Sequence, residues 1–252
     1  MNATLARALF AVTFEHDGRL VRIDLNRPDA GNAMTGEMVA ALTALLGELG
    51  ADAGVHAVTI EGRGSAFCRG RDTKGDDRTG LSAYEIRERI MGVILGAYGA
   101  IASCPVPVVA LVHGTAAGFG AALSMACDMT FASDAARFSF PEIKHQIPPA
   151  LAMSALVGKV PPKAMAYLIY SGHEIDAQEA LGFGMVSKMI PAQRFKADSD
   201  AILAEVVGRP RLVLQTIKRY ERNARLLSAD MASEYAGVLL ALAQTEIKKP
   251  KA

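Results

Sequence analysis

The sequence predicts an α/β fold, and three observations carry that prediction. A strand followed by a glycine-rich or polar turn returns three times between Val55 and Pro141. Strands such as Val108–Val112 are continuously apolar, the pattern of strands covered on both faces. Past Ile147-Pro148-Pro149 the pattern changes to apolar residues at helical spacing. Strand-turn-helix units with short connections, followed by helices, imply an α/β core with a helical C-terminal region. The boundary is expected near Pro191, giving a core over residues 1–191 and a docking and oligomerisation region over 192–252.

Leu9 to Phe14 is rich in strand formers, Val21-Arg22-Ile23-Asp24-Leu25 alternates, and His16-Asp17-Gly18-Arg19 is turn material, so the chain opens on a hairpin. Met38, Leu42, Leu45, Leu46 and Leu49 then recur at helical spacing, with Thr35 placed to cap the start and Gly50 to end the run. Val55 to Glu61 reads as a strand broken by Gly62-Arg63-Gly64-Ser65, after which Ala66 to Asp72 reads as a loop. The charge-free stretch from Ile90 to Val112 is long enough to cross a bilayer, but Pro105 and Pro107 divide it. Proline removes an amide donor and biases the residue before it away from helix. A buried helix ending near Ser103 and a buried strand over Val108–Val112 are therefore expected.

Gly114 to Gly120 is the next turn and Ala121 to Cys127 a short apolar helix. Met129 to Ala132 reads as a strand, Asp134-Ala135-Ala136 as a turn, and Arg137 to Phe140 as a strand stopped by Pro141. Ala150–Val157, Lys163–Tyr170, Ala177–Leu181, Leu212–Leu227 and Asp230–Lys248 favour helix. Val213, Ile217 and Tyr220, then Met231, Tyr235, Leu239 and Leu242, give apolar faces suited to docking on the core or on a neighbour. Lys248, Lys249 and Lys251 read as a solvated tail.

Composition narrows the partners. With 27 Lys and Arg against 26 Asp and Glu, the chain has no field of the kind that gathers nucleic acid or an anionic membrane. A small molecule or a second copy is the expected partner. Cys68, Cys104 and Cys127 sit in apolar or glycine-rich stretches without CxxC spacing, as in a reducing compartment. That usage of cysteine makes a cytoplasmic location the expectation, and the N-terminal stretch, interrupted by Arg7, does not resemble a signal peptide. His16, His56, His113, His145 and His173 are scattered without ligand spacing, and no metal is expected. There is no GxSxG elbow and no phosphate loop, and Leu123 stands where a dinucleotide fingerprint requires its third glycine.

Two glycine-rich turns and one acid remain. The glycines either serve tight turns and close packing or let a ligand oxygen reach amides that a helix start leaves unpaired. Two such turns facing each other would make an oxyanion hole. Glu142, directly after Pro141 and between apolar residues, is either a helix-start acid or a partly desolvated carboxylate suited to proton transfer.

In order and spacing, a set of segments resembles the crotonase (enoyl-CoA hydratase/isomerase) superfamily from near Asn26 to about Pro191. They are Asn26-Arg27-Pro28 with Asn32-Ala33-Met34, Gly64 to Asp72, His113 to Gly120, Cys127-Asp128, Phe138 to Ile143, and Ala177-Gln178-Glu179-Ala180 with Gly184-Met185-Val186. The resemblance implies a crotonase-like spiral of strand-strand-helix turns with a helical C-terminal region, assembled as homotrimers or homohexamers. It implies an acyl-CoA or enoyl-CoA substrate, with coenzyme A part of that substrate and no separate cofactor. By position, it implies that the amides of Arg71 and Phe119 form an oxyanion hole and that Glu142 moves the proton. It also implies that Ala66, Arg71, Asp72, Thr73, Lys74, Gly118 and Phe119 contact the substrate.

Three positions depart from the family pattern. Ala122 stands where hydratases carry a second glutamate, Phe119 where a glycine is usual, and Arg71 where a small or apolar residue is usual. The expected activity is hydration or double-bond isomerisation of an enoyl-CoA, reactions of fatty acid metabolism. Thioester or carbon–carbon hydrolysis on the same hole, and a non-catalytic CoA-ligand-binding scaffold, are the alternatives, the last motivated by Ala122.

Overall fold

The computed structural model describes residues 9–247; Arg7 and the lysines Lys248, Lys249 and Lys251 lie outside them. The opening hairpin pairs β1 (Phe10–Glu15) antiparallel to β2 (Leu20–Leu25), with Val12 opposite Ile23. Helix α1 (Gly36–Ala51) begins where Thr35 Oγ1 accepts the Met38 amide at 3.2 Å, and it runs one residue beyond Gly50. Its face of Met38, Leu42, Leu45, Leu46 and Leu49 is buried, as the spacing requires.

Three strand-strand-helix turns follow. The first is β3 (Ala57–Gly62), β4 (Ala66–Cys68) and a long helix α2. That helix begins as Ala83–Ile86, passes through a π turn at Arg87–Met91 and continues as Gly92–Ser103. The second is β5 (Val108–Val112), β6 (Thr115–Ala117) and α3 (Phe119–Ala126). The third is β7 (Met129–Ser133), β8 (Arg137–Ser139), a 3-10 turn over Pro141–His145 and α4 (Ala150–Leu156). Helix α5 (Pro162–Ser171), strand β9 (Ile175–Asp176), helix α6 (Ala177–Gly182) and strand β10 (Lys188–Ile190) complete the body.

Each turn contributes its first strand to a six-stranded sheet of order β1-β2-β3-β5-β7-β10 and its second to a four-stranded sheet of order β4-β6-β8-β9. This is the spiral of strand-strand-helix turns that the family resemblance implies. The Ala66–Asp72 loop and the Gly114–Gly120 turn are corrected by it, because each contains a strand of three residues. So short a strand completes too few periods to stand out from a loop. Its partners come from a distant part of the chain. Phe67 in β4, Phe138 in β8 and Phe140 just beyond it are among the largest fully buried side chains. Truncating any of them would cost about 3–5 kcal/mol, so the small sheet rests on a rigid floor.

Helices α7 (Phe195–Val207), α8 (Arg211–Ala224) and α9 (Ala229–Ile247) follow. Two features of this region differ from expectation. Strands β9 and β10 interrupt the helical stretch, and α7 is a helix that the sequence reading does not name, because with only Ser199, Leu203 and Val207 buried on it the apolar stripe is weak. Helices α8 and α9 pack on each other through a Tyr220–Tyr235 stack, with Asn223 Nδ2 donating to Tyr235 Oη at 2.8 Å. Leu214, Lys218, Leu239 and Ala243 are buried, whereas Ile217, Met231 and Leu242 stay exposed, so part of the expected docking face is uncovered in the single chain. Among the described residues, no helix is long and apolar enough to cross a membrane.

Candidate active site

Strands β4, β6 and β8 run parallel, so their C-terminal ends lie along one edge of the small sheet. Each delivers one piece of the candidate site there: Gly70-Arg71 after β4, Gly118-Phe119 after β6, and Glu142 after β8. In open α/β sheets this edge is where ligands bind. The approach of the first two loops is fixed by Gly120. A Cβ there would fall 2.0 Å from the Cys68 carbonyl oxygen and force the loops apart.

The first loop is braced from below. Buried Asn32 accepts the Arg27 amide at 3.0 Å through Oδ1, and its Nδ2 donates to the carbonyls of Arg63 (2.8 Å) and Ala66 (2.7 Å). The Arg27 guanidinium reaches Asp72 Oδ2 at 3.0 Å and the Ala33 carbonyl at 2.7 Å. Chiefly through that bond from Arg27, and then one from the Lys74 amide, the Asp72 carboxyl is held below its usual range. Arg71 lies opposite Met34 in a parallel bridge, with Met34 N–H donating to Gly70 O at 3.0 Å and Asp72 N–H to Met34 O at 2.9 Å. Because its neighbours make the bridging bonds, the Arg71 amide faces away from Met34 and donates to no acceptor among the described residues. Its side chain folds back, with Nε on the Met34 carbonyl at 3.1 Å and Nη2 on Asp76 at 3.0 Å, while Nη1 is buried without a partner.

The second loop turns at Gly118, where φ is +52° and the amide donates to Ser139 O at 2.9 Å. Phe119 opens α3, so its amide has no partner within the helix and finds none elsewhere among the described residues. A Cβ on Gly118 would stand 2.9 Å from Glu142 Oε1, so the carboxylate rests against the same turn. Pro141 starts the 3-10 turn that carries Glu142, whose Oε2 is buried with no partner. Burial raises the Glu142 pKa above the ordinary value, against the opposing pull of a main-chain hydrogen bond and of His145.

One residue here is missed by the sequence reading. Tyr98, on α2, stacks on Phe119 with ring centroids 5.9 Å apart and planes 17° from parallel. Burial drives its phenol pKa well up, with Glu142 adding to the shift and Arg71 opposing it, so the hydroxyl stays protonated. Tyr98 belongs to the charge-free run from Ile90 to Val112, which reads as core; a lone polar-tipped ring in that run is the signal that could have found it.

The structure brings Arg71, Gly118, Phe119 and Glu142 together. Asp72 sits at the loop's base, tied to Arg27. Ala66 is buried at the start of β4 with its carbonyl engaged by Asn32, and Thr73 and Lys74, just past Asp72, are exposed. Ala122 is buried on the first turn of α3 and offers no proton. Cys68 is no nucleophile, since burial pushes its thiol up to about 12. Among the described residues no group of three His, Cys, Asp or Glu is placed to hold a metal ion. Unpartnered amide donors beside a carboxylate of raised pKa suit chemistry that develops an oxyanion and moves a proton.

The family model described as Enoyl-CoA hydratase/isomerase matches residues 15–243. The probable enoyl-CoA hydratase echA8 of Mycobacterium tuberculosis is 32% identical over 191 residues, 75% of this chain and 72% of that protein. A probable enoyl-CoA hydratase of Rhizobium meliloti is 35% identical over 181 residues, 71% and 68% of the two chains. The crystal structure of an enoyl-CoA hydratase from Mycobacterium smegmatis is similar with a TM-score of 0.88 at 28% identity, covering 96% of this chain and 92% of that one.

Proposed function

The chain belongs to the enoyl-CoA hydratase/isomerase family, and on that premise we propose that it binds an acyl group as its CoA thioester and stabilises the thioester enolate between the amides of Arg71 and Phe119. The observation that supports this most is the convergence of the β4, β6 and β8 ends, with both amides unpartnered beside Glu142. Abstracting a proton beside a thioester, or adding water across the conjugated double bond, builds charge on the thioester oxygen. Each preorganised donor there contributes roughly 3 to 4 kcal/mol. Glu142, its pKa raised above the ordinary value by burial, moves the proton. Ala66, Asp72 and Gly118 shape the substrate channel, and Thr73 and Lys74 meet the CoA moiety. Coenzyme A enters with the substrate and no other cofactor is required.

A panel of enoyl-CoA thioesters tests this reading. Hydration removes the enoyl absorbance without releasing thiol, isomerisation moves the double bond, and hydrolysis releases thiol. Either of the first two is the expected outcome. A thioester bound tightly and left unchanged would instead establish the non-catalytic scaffold that Ala122 motivates, and thiol release the hydrolase. The helices beyond about residue 192 serve docking and assembly, with Ile217, Met231 and Leu242 covered in a homotrimer or homohexamer. Light scattering should report at least a trimer, and a stable monomer at micromolar concentration would overturn the assembly.

A further inference from the structure

The position at which hydratases of this family carry a second acid holds Ala122, yet a polar group reaches the site from another element. Tyr98 projects from α2 onto the ring of Phe119, itself placed where a glycine is usual. The stack fixes the phenol beside the turn from which the Phe119 amide projects. Charges on both flanking pieces act on the phenol, Glu142 from beyond β8 and Arg71 from beyond β4. Its hydroxyl has no partner among the described residues and is not one of the sealed, unpaired atoms, so it keeps contact with solvent and is free to bond a ligand.

We infer that Tyr98 donates a hydrogen bond to the oxygen carried by the third carbon of the acyl chain, the water that adds or the hydroxyl that results, and so takes over the orienting role left vacant at Ala122. This rests on the proposed CoA-thioester reading, in which the two amides hold the thioester oxygen and Glu142 the mobile proton. The only other oxygen that hydration brings to the site is the one Tyr98 is left to hold. The water oxygen bonds to the third carbon while Glu142 takes one of its protons. Glu142 then returns a proton to the second carbon, and the π pair of the double bond ends in that new C–H bond. Tyr98 keeps its proton throughout, as a phenol kept neutral by burial does. It directs the oxygen and leaves proton transfer to Glu142.

Tyr98→Phe keeps the ring on Phe119 and removes only the hydroxyl. The test compares, by calorimetry, a 3-hydroxyacyl-CoA with the saturated acyl-CoA of the same length, at the length that wild type binds best. Wild type should favour the hydroxyacyl thioester by about tenfold, the worth of one buried hydrogen bond. Tyr98→Phe should lose that preference while its affinity for the saturated thioester stays unchanged. On any enoyl-CoA that is hydrated, kcat should fall by at least the same factor with KM little altered. No preference in wild type, or a preference that survives in Tyr98→Phe, overturns the role of Tyr98 and leaves the CoA-thioester reading standing. Failure of wild type to bind either thioester overturns that reading, and the inference with it.

Discussion

At its N-terminal end, helix α3 is surrounded by polar atoms that have no partner among the described residues. The Phe119 amide and the Tyr98 hydroxyl have no partner among the described residues, and Glu142 Oε2 and Arg71 Nη1 are buried without one. At its C-terminal end, one helix length away, the charged groups are engaged. The Lys159 ammonium donates to the carbonyls of Met125, Ala126 and Cys127, the last two at 3.1 and 3.2 Å. The Lys218 ammonium donates to Ile101 O at 2.9 Å and Val106 O at 3.0 Å and pairs with Asp128 at 2.7 Å. A cavity of about 320 Å³ opens there, lined by Lys159, Lys218, Arg222 and Arg225. Both lysines in it are committed to carbonyls, as suits cations at helix C-termini. The contrast teaches that charge and volume alone do not mark a site. A buried polar group left unpaired costs about 1–3 kcal/mol, so several of them together point to a ligand that satisfies them.

Glu142→Gln presses hardest on the N-terminal end. It keeps the shape and removes the base, so turnover should fall about a hundred- to ten-thousand-fold while thioester binding persists. Wild-type turnover in this variant would return Glu142 to a helix-start acid. The pH profile sharpens the point, because a base works only when ionised and burial raises the Glu142 pKa. Turnover should therefore be lost as pH falls, with a midpoint above the ordinary 4.5; a midpoint at or below that value would contradict the desolvated base. Linkage gives the matching sign for stability. The folded protein holds this proton over the window from the ordinary value to the raised one, so stability is full below the window and declines as pH rises through it. Thermal unfolding should accordingly show Glu142→Gln more stable than wild type at neutral pH.

Lys218→Met should act oppositely, on stability and not on chemistry. It strands Asp128, whose pKa is raised by burial against the pull of Lys218, and removing one member of such a pair costs about 3 kcal/mol. Denaturant unfolding measures this, and turnover per folded molecule should not change. Lys159→Met, which frees three carbonyls at the end of α3, should cost about 1 kcal/mol in the same assay. A loss of turnover comparable to that of Glu142→Gln in either lysine variant would erase the distinction between the two ends.

Much of the large sheet is legible in the sequence because its signals are local. Thr35 caps α1, proline stops α2 at Ser103, and Val108–Val112 is apolar throughout. The small sheet is not. Its strands are two or three residues long, and their pairing depends on contacts such as Gly120 against the Cys68 carbonyl, which join distant parts of the chain. The site is legible only in part for the same reason. A carboxylate after proline draws attention to Glu142, but an unpaired amide has no side chain to announce it, and Arg71 and Phe119 enter through the family resemblance. Tyr98 stays hidden because an aromatic in an apolar run reads as core until the fold sets it on Phe119.

The central claim is that the Arg71 and Phe119 amides are preorganised for an enolate oxygen, and calorimetry with two thioesters tests it most directly. Acetoacetyl-CoA, whose enolate resembles the charged intermediate, should bind roughly tenfold or more tightly than a saturated acyl-CoA of similar length. The difference should persist in Glu142→Gln, which leaves both amides in place. Equal affinity for the two thioesters in the wild-type protein would contradict an oxyanion hole at these amides.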